Sequence, residues 1–489
     1  MLFNSLDFLI FFPAVTLACF LIPRRFRHIW LLLASYFFYM SWSPRYALLM
    51  LFSTAVTWLG GCVIAGSGRP FTRKAALTAV LAANLGVLAV FKYLAFFLEN
   101  LSRAAGLAGL SFTPPAVRLL LPVGISFYTF QALGYTIDVY RGDIDAEPDF
   151  LRYALFVSFF PQLVAGPIER SGSLLRQLRA EQSFDAVRVR AGLVRMAWGL
   201  FLKMVLADRL AIFVDSVFNA PDGQAGSAAA LAAVLFTIQI YCDFGGYSEI
   251  AIGAAQVLGV TLMENFRRPL LAPSVRDFWR RWHISLSAWF RDYLYIPLGG
   301  SRRGKWRAVW NNMAVMLVSG LWHGASWHFV AWGAIHGLYL TVGRLTLPAR
   351  RRLRSALRLR EDSPALRLPG TALTFTLVVL AFLVFRANSL RDAAVLLRAI
   401  ALDFRPAALA GEGLFAFGLD KPDCIAAAAA LAVLLARDLA SERADVLAAL
   451  ERQALPLRWC VYLLLLFSVL IFGVYGPEYD AAAFIYFEF

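Results

Sequence analysis

The stretch that decides the fold runs from residue 265 to residue 336. It reads NFRRPLLAPSVRDFWRRWHISLSAWFRDYLYIPLGGSRRG, followed by KWRAVWNNMAVMLVSGLWHGASWHFVAWGAIH. Arginines and aromatic rings are mixed here more densely than elsewhere in the chain, and long apolar runs lie on both sides. Four of the five histidines of the chain lie in it: His283, His323, His328 and His336. Because polar, titratable residues within an apolar protein are costly, they usually mark a functional site.

The apolar runs outside this stretch predict an all-α, polytopic membrane protein. Of the 489 residues, 60% are hydrophobic and only 16% are charged, which is too apolar for an ordinary soluble domain. The runs lack the alternation of a membrane β-barrel and are long enough for helices that cross a bilayer. We expect about eleven or twelve transmembrane or re-entrant helices in one domain over residues 1–489. The first run, 7–23, lacks the features of a cleaved signal peptide and is expected to be retained.

The placement of charge argues against nucleic acid as a partner. The formal net charge is +15, but the arginines cluster in loops between apolar runs, as the positive-inside rule expects for cytosolic loops. Such loops contact the anionic headgroups of membrane lipids. The five cysteines are scattered and have the spacing of neither a disulfide framework nor a metal site, so no metal is expected.

Two irregular regions interrupt the simple alternation of crossings. Strict alternation would place the basic stretch 170–195 outside, so we expect one element between residues 118 and 170 not to cross fully. Pro122 and Gly124 lie in an apolar context, which predicts a broken or re-entrant helix.

Two carboxylates, Asp243 and Glu249, lie deep in the apolar run 227–259. Carboxylates inside a membrane usually pair with a cation or line a polar cavity. We predict an ion pair with one of the arginines between residues 267 and 291; a direct role in the reaction is the alternative.

The position of His323 follows from topology. The basic loops 302–307 and 350–360 are both expected to be cytosolic, so the segment between them must cross and return, with its turn near residues 322–324. His323 then lies deep in the membrane or toward its far face. A neutral imidazole there could act as a general base, taking the proton from a hydroxyl that attacks a thioester carbonyl. Gly324 would leave room for a substrate or a backbone amide. The other two histidines, His328 and His336, do not share one helical face with His323 and are predicted to be structural.

The arginine–aromatic pattern of residues 276–295 suits an interfacial or re-entrant helix. Its guanidinium groups could equally hold the phosphates of a nucleotide thioester donor. No phosphate-binding glycine loop is present, so this donor site is predicted from charge alone. The candidate donor-binding residues are Arg276, Arg280, Arg281 and Arg291.

Several motifs in order resemble the membrane-bound O-acyltransferase family. They are WHG (322–324), RRWHISLS (280–287), FRDYLYIPLGGSRRG (290–304) and QIYCDFGGYSEIAIG (239–253). Three further stretches resemble the bacterial alginate O-acetylase branch of that family: FFPQLVAGPIER (159–170), FRANS (385–389) and the closing FIYFEF (484–489). The resemblance spans nearly the whole chain.

This resemblance implies a helical bundle around a central tunnel, with His323 essential for acyl transfer and His283 as the second histidine of the family. It implies a multi-pass protein of the bacterial inner membrane that holds no bound cofactor and takes an acetyl group from a cytosolic thioester donor, acetyl-CoA. A periplasmic acetyltransferase partner or an exopolysaccharide such as alginate would receive the acetyl group.

Three alternatives remain. A polysaccharide or lipid transporter would show internal repeat symmetry, which the sequence lacks. D-alanyl transfer to a cell-wall polymer is the activity of a sister branch that shares both histidines, but residues 295–304 fit that branch less well. A histidine-cluster iron oxidase would need more ligands than the four histidines provide at these spacings.

Overall fold

The computed structural model describes residues 1–115, 119–180, 182–358, 360 and 363–475. These residues form helices joined by turns and contain no strand, which confirms the all-α prediction. The closing motif 484–489 lies outside the described residues. The chain divides into two compact units, one of residues 1–193 and 251–263 and the other of residues 194–250 and 264 onward. The single domain over residues 1–489 stays a prediction.

The first unit contains the N-terminal helices. They are α1 (Leu6–Leu21), α2 (Arg27–Met40), α3 (Pro44–Gly66), α4 (Pro70–Leu88), α5 (Leu94–Leu107), α6 (Ile125–Arg141), α7 (Phe150–Ser158), α8 (Phe160–Leu163) and α9 (Ser171–Arg179). A π-helical turn, Ala89–Tyr93, continues α4 into α5. Two helices have residues in both units: α10 (Ala186–Leu200) and α12 (Gly226–Val257).

The irregular region of the first unit has a simple explanation. Helix α7 has nine residues and is about 14 Å long, so it cannot cross a hydrocarbon core of about 30 Å. Helix α8, with four residues, is shorter still, so both α7 and α8 lie between residues 118 and 170 and are too short to cross. Gly124, at φ +74°, precedes the first residue of α6, so the proline–glycine segment starts a helix and does not break one. A side chain at Gly124 would also meet the carbonyl oxygen of Leu163, 2.7 Å from the position of its Cβ.

The second unit contains the helices that carry the predicted site. A π-helical segment, Phe201–Ala207, leads from α10 into α11 (Asp208–Phe218). The later helices are α13 (Val275–Arg281), α14 (Ile284–Phe290), α15 (Lys305–His323), α16 (Trp327–Leu345), α17 (Leu347–Ala356), α18 (Pro364–Arg386), α19 (Leu390–Leu402), α20 (Lys421–Ser441), α21 (Val446–Glu451) and α22 (Leu455–Phe472).

Within the described ranges, six helices are long and apolar enough to cross a membrane. They are Pro44–Gly66, Pro70–Leu107, Gly226–Val257, Pro364–Arg386, Lys421–Ser441 and Leu455–Phe472. Helices α15 and α16 have 19 residues each and are about 28 Å long, which nearly matches a bilayer core. The total number of membrane elements and the central tunnel stay predictions.

Helices α15 and α16 form the predicted hairpin, with its turn directly after His323. Their backbones approach so closely that only glycine fits between them. A Cβ atom at Gly320 would lie 2.2 Å from the carbonyl oxygen of Phe329, and one at Gly333 would lie 2.3 Å from that of Met316. Small residues allow this close helix packing in membrane proteins. The packing fixes the end of α15, and with it His323, against α16.

Asp243 and Glu249, the carboxylates of α12, form ion pairs with residues that lie outside the predicted range 267–291. Lys203 Nζ lies 2.6 Å from Asp243, and Arg195 Nε lies 2.5 Å from Glu249. The prediction of a partner among the arginines 267–291 is therefore wrong. The physical reason is proximity, because α10 and the π-helical segment after it lie along α12 and bring both cations to its carboxylates. Both carboxylates do form ion pairs, as the sequence analysis predicted.

Candidate active site

His283 lies in a strained turn between α13 and α14. Its φ and ψ are +42° and +55°, in the left-handed region that costs a residue with a Cβ about 1–2 kcal/mol. Two main-chain hydrogen bonds hold the turn: Ile284 N–H donates to the Asn265 carbonyl and Arg267 N–H donates to the Arg281 carbonyl, both at 2.9 Å. Backbone strain of this kind persists where the surroundings impose it and often accompanies function.

The His283 side chain is completely buried, with no exposed surface. Its Nδ1 atom lies 3.2 Å from Oδ1 of Asn265, a residue that is buried to the same extent. The ring of Phe244 packs against the imidazole edge-on, with centroids 4.7 Å apart. Asn265 was not predicted as a site residue. Asn265 lies two positions before the segment 267–269 and 18 positions before His283, and neither spacing is a signal that could have identified it.

His323 is the last residue of α15 and is 4% exposed. Three aromatic rings surround its imidazole, with centroid distances of 5.0 Å to Trp322, 5.1 Å to Trp332 and 5.4 Å to Phe385. These rings form a dry wall around the imidazole, as an acyl-transfer site that must exclude water requires.

The structure brings the two predicted catalytic histidines together. Their ring centroids are 6.3 Å apart. An oxygen atom that makes a hydrogen bond of about 2.8 Å to each ring can bridge ring centroids up to about 8 Å apart. The observed separation of 6.3 Å is shorter than this, so one oxygen atom could contact both rings if it lies to one side of the line that joins their centres. This geometry suits a hydroxyl or a carbonyl oxygen held between two imidazoles.

The expectation for Gly324 is wrong. A Cβ atom there would lie 2.1 Å from the ring of Phe329, so the space next to Gly324 is filled by the protein's own side chain. Phe329 in turn packs on Phe385, with centroids 4.9 Å apart. Gly324 therefore helps to close the aromatic wall and does not leave room for a substrate.

The other two histidines of the segment make packing contacts. Trp279 Nε1–H donates to Nδ1 of the fully buried His336 at 3.3 Å, and the His336 ring lies 5.0 Å from that of Trp332. His328 Nδ1 lies 2.8 Å from the Ser326 hydroxyl. Within the described part of the chain, no three His, Cys, Asp or Glu residues come together in a group that could hold a metal ion.

The four predicted donor-binding arginines differ in their surroundings. Arg276 and Arg280 are exposed and lie one turn apart on α13, and among the described residues neither makes an ion pair. Arg281 is bound to Asp277 and to Glu442, each at 2.7 Å. Arg291 is bound to its neighbour Asp292 at 2.7 Å. Arg276 and Arg280 are therefore the two whose charge is available to a ligand.

Glu442, which follows α20, is a charged residue that the sequence did not reveal. Its carboxylate accepts hydrogen bonds from Arg268 at 2.9 Å, from Arg281 at 2.7 Å and from Arg367. Partial burial raises the pKa of Glu442, but the arginines outweigh it and hold the pKa below its ordinary value. This carboxylate ties the α13 turn, which precedes His283, to the end of α20.

The chain is similar to known proteins over most of its length. The statistical model of the membrane-bound O-acyltransferase family matches residues 141–383. A probable alginate O-acetylase of Pseudomonas putida is 38% identical over 400 residues, which cover 81% of this chain and 79% of that protein. A peptidoglycan O-acetyltransferase of Helicobacter pylori is 34% identical over 399 residues, which cover 76% and 73%. A teichoic acid D-alanyltransferase of Streptococcus thermophilus is 29% identical over 296 residues, which cover 55% and 68%.

Proposed function

The chain belongs to the membrane-bound O-acyltransferase family, and from this premise we propose that it moves an acetyl group from acetyl-CoA in the cytosol to the hydroxyl groups of an exopolysaccharide such as alginate. It is an O-acyltransferase and a multi-pass protein of the bacterial inner membrane. The observation that carries the proposal is the pair of buried histidines, 6.3 Å apart, inside the matched region. The higher identity to the alginate O-acetylase, 38% against 29% for the D-alanyltransferase, favours acetyl over D-alanyl as the group transferred.

In the proposed reaction, His323 acts as the general base. It takes the proton of the acceptor hydroxyl, and that oxygen attacks the thioester carbonyl. The new C–O bond forms, the C–S bond breaks, and the proton passes from His323 to the leaving thiolate. His283 lies close enough to contact the same oxygen and orient it. The rings of Trp322, Trp332 and Phe385 keep out water that would otherwise hydrolyse the thioester.

The donor is proposed to bind through its phosphates. Arg276 and Arg280 lie on one face of a helix that ends two residues before His283, and their charges are not neutralised by a carboxylate of the described residues. Guanidinium groups bind phosphate oxygens through charge-assisted hydrogen bonds. The acetyl group leaves on the periplasmic side, where a periplasmic acetyltransferase partner or the polysaccharide receives it.

The test compares the acetyl content of the extracellular polysaccharide in strains that carry the wild-type chain, His323→Ala or His328→Ala. All three must be present in the membrane at equal amounts. We expect His323→Ala to abolish acetylation while the polymer is still exported, and His328→Ala, which removes only a packing histidine, to retain it. Normal acetylation with His323→Ala would refute the role of His323. Loss of the polymer itself would indicate that the chain transports glycan.

A further inference from the structure

Asn265 makes a set of hydrogen bonds that determines the protonation of its neighbour. Its Oδ1 atom lies 3.3 Å from Ser285 N, 2.9 Å from Ser285 Oγ and 3.2 Å from His283 Nδ1. On the other side, its Nδ2 group donates to Ser248 Oγ at 3.1 Å. Asn265, His283, Ser285 and Ser248 are each 2% exposed or less.

The main chain settles which way round the Asn265 amide lies. An asparagine oxygen and nitrogen are distinguished by their partners, and a backbone N–H can only donate. The atom that faces Ser285 N must therefore be the oxygen, because a flipped amide would place its own N–H groups against another donor. The same oxygen faces His283 Nδ1 and can only accept from it. In the arrangement that satisfies these contacts, Nδ1 carries a proton.

We infer that Asn265 is a positioning residue that holds His283 as the Nδ1–H tautomer, so that Nε2 presents a lone pair to the reaction. A neutral imidazole has one proton, and with that proton on Nδ1 the second nitrogen is an acceptor. The inference rests on the proposed function insofar as that function places His283 at the reacting atoms.

The tautomer gives His283 a defined direction in the proposed reaction. In its neutral form it accepts a hydrogen bond or a proton at Nε2, from the acceptor hydroxyl or from His323. It cannot, while neutral, donate at Nε2 to the carbonyl oxygen of the thioester. His283 therefore orients the attacking hydroxyl, and any stabilisation of the developing oxyanion comes from another group.

The main chain and the side chain of Asn265 act together. Its carbonyl accepts from Ile284 N–H at 2.9 Å, which holds the left-handed turn, and its amide sets the ring within that turn. In metal sites, removal of the group that hydrogen-bonds and orients a ligating histidine commonly changes activity by one to two orders of magnitude. In a serine protease triad, the wrong histidine tautomer costs about 10⁴-fold. We expect loss of the Asn265 acceptor to lower kcat at least ~10-fold.

The direct test is the ¹⁵N spectrum of the histidine rings in the full chain reconstituted in lipid bilayers. The chain has only five histidines, so selective labelling gives an interpretable spectrum. His283→Asn identifies the signals of His283, and Asn suits this site because it tolerates the left-handed backbone better than most residues. We expect the neutral ring of wild-type His283 to carry its proton on Nδ1. A proton on Nε2 would overturn the inference, whether or not the protein transfers acetyl.

Kinetics of three variants provide the second test. Asn265→Leu keeps the size but removes the acceptor, and should lower kcat at least ~10-fold with the KM for the donor unchanged. Asn265→Asp keeps an acceptor and adds a charge that stabilises the protonated ring. The acidic limb of the pH–rate profile of Asn265→Asp should therefore move to higher pH than in the wild type. Activity above that limb should remain within ~10-fold of wild type. Ser287→Ala, which lies in α14 next to the turn and has no bond to Asn265, should change neither kcat nor the position of the acidic limb.

A purely structural role for Asn265 would lower the amount of folded enzyme without moving the pH limb. Wild-type kcat in Asn265→Leu, or an unmoved limb in Asn265→Asp, would refute the positioning role. If neither variant accumulates, the wild-type spectrum still decides the tautomer. If the wild-type chain transfers no acetyl group while its spectrum shows the Nδ1–H ring, the proposed function fails and the tautomer assignment stands.

Discussion

A methyl group added at Gly333 should damage the site without changing either catalytic histidine. The new Cβ in Gly333→Ala would lie 2.3 Å from the Met316 carbonyl oxygen and 3.4 Å from Gly320 Cα. Since non-bonded carbon contacts are comfortable only near 3.5 Å, helices α15 and α16 would have to separate by about 1 Å. That displacement reaches His323, which ends α15.

Two opposing effects set the magnitude. Alanine is a better helix former than glycine by about 1 kcal/mol, which favours the variant. Overpacking of a tight interface costs about 1–3 kcal/mol, which outweighs that gain or cancels it. The effect on catalysis is larger, because a shift of about 1 Å in a catalytic group commonly costs about 10²-fold in rate. We therefore expect turnover to fall ~100-fold while much of the protein still accumulates.

The assay is acetyl transfer in membranes that contain equal amounts of each variant. Gly343→Ala is the matched control, since it lies on the same helix and its Cβ would meet only Arg350 Nη2, at 3.9 Å. The control should keep wild-type turnover and a similar or slightly higher thermal stability. Wild-type turnover in Gly333→Ala would refute the argument, as would an equal loss of turnover in both variants.

Two further predictions concern charge. Arg276→Gln and Arg280→Gln should each raise the donor KM at least about 10-fold with kcat nearly unchanged, because each removes a charge-assisted hydrogen bond worth about 1.5–3 kcal/mol. Initial rates against donor concentration measure this, and an unchanged KM in both variants would place the donor phosphates elsewhere. Glu442→Gln should lower the melting temperature of the purified chain, since three arginines lose their shared carboxylate. Because the folded pKa of Glu442 is depressed, its stabilisation is full above the unfolded carboxyl pKa of about 4.3 and is lost as pH falls through the lower folded value. The difference in melting temperature between wild type and Glu442→Gln should therefore shrink below about pH 4, and a constant difference would contradict this.

The hairpin and the position of His323 could be predicted because both follow from one-dimensional signals. Basic loops on both sides of an apolar segment require it to cross and return, and the short polar turn fixes where it does so. The bond from Arg281 to Asp277 could also have been predicted, since residues four apart on a helix face one another. That spacing would have removed Arg281 from the candidates for a free phosphate-binding cation.

The partners of Asp243 and Glu249 could not be predicted, because they depend on how one helix is rotated against another. The π-helical segment Phe201–Ala207 adds to the difficulty. A π-helical turn changes the angular position of every later residue, so the ordinary helical period does not tell which way Lys203 faces. The same limit applies to Phe329, whose ring fills the space at Gly324 from the next helix.

The separation of His283 and His323 is set by two independent parts of the fold. Glycine packing between α15 and α16 fixes His323 from one side, and the Asn265 contacts fix the turn and the ring of His283 from the other. Neither constraint uses the substrate, so the distance between the rings exists before binding. Catalysis by positioning gains most when the geometry is present in advance, because the cost of ordering the groups has been met during folding. This explains why a left-handed histidine is retained in the turn: relaxing its backbone would release about 1–2 kcal/mol but would turn the imidazole away from Asn265.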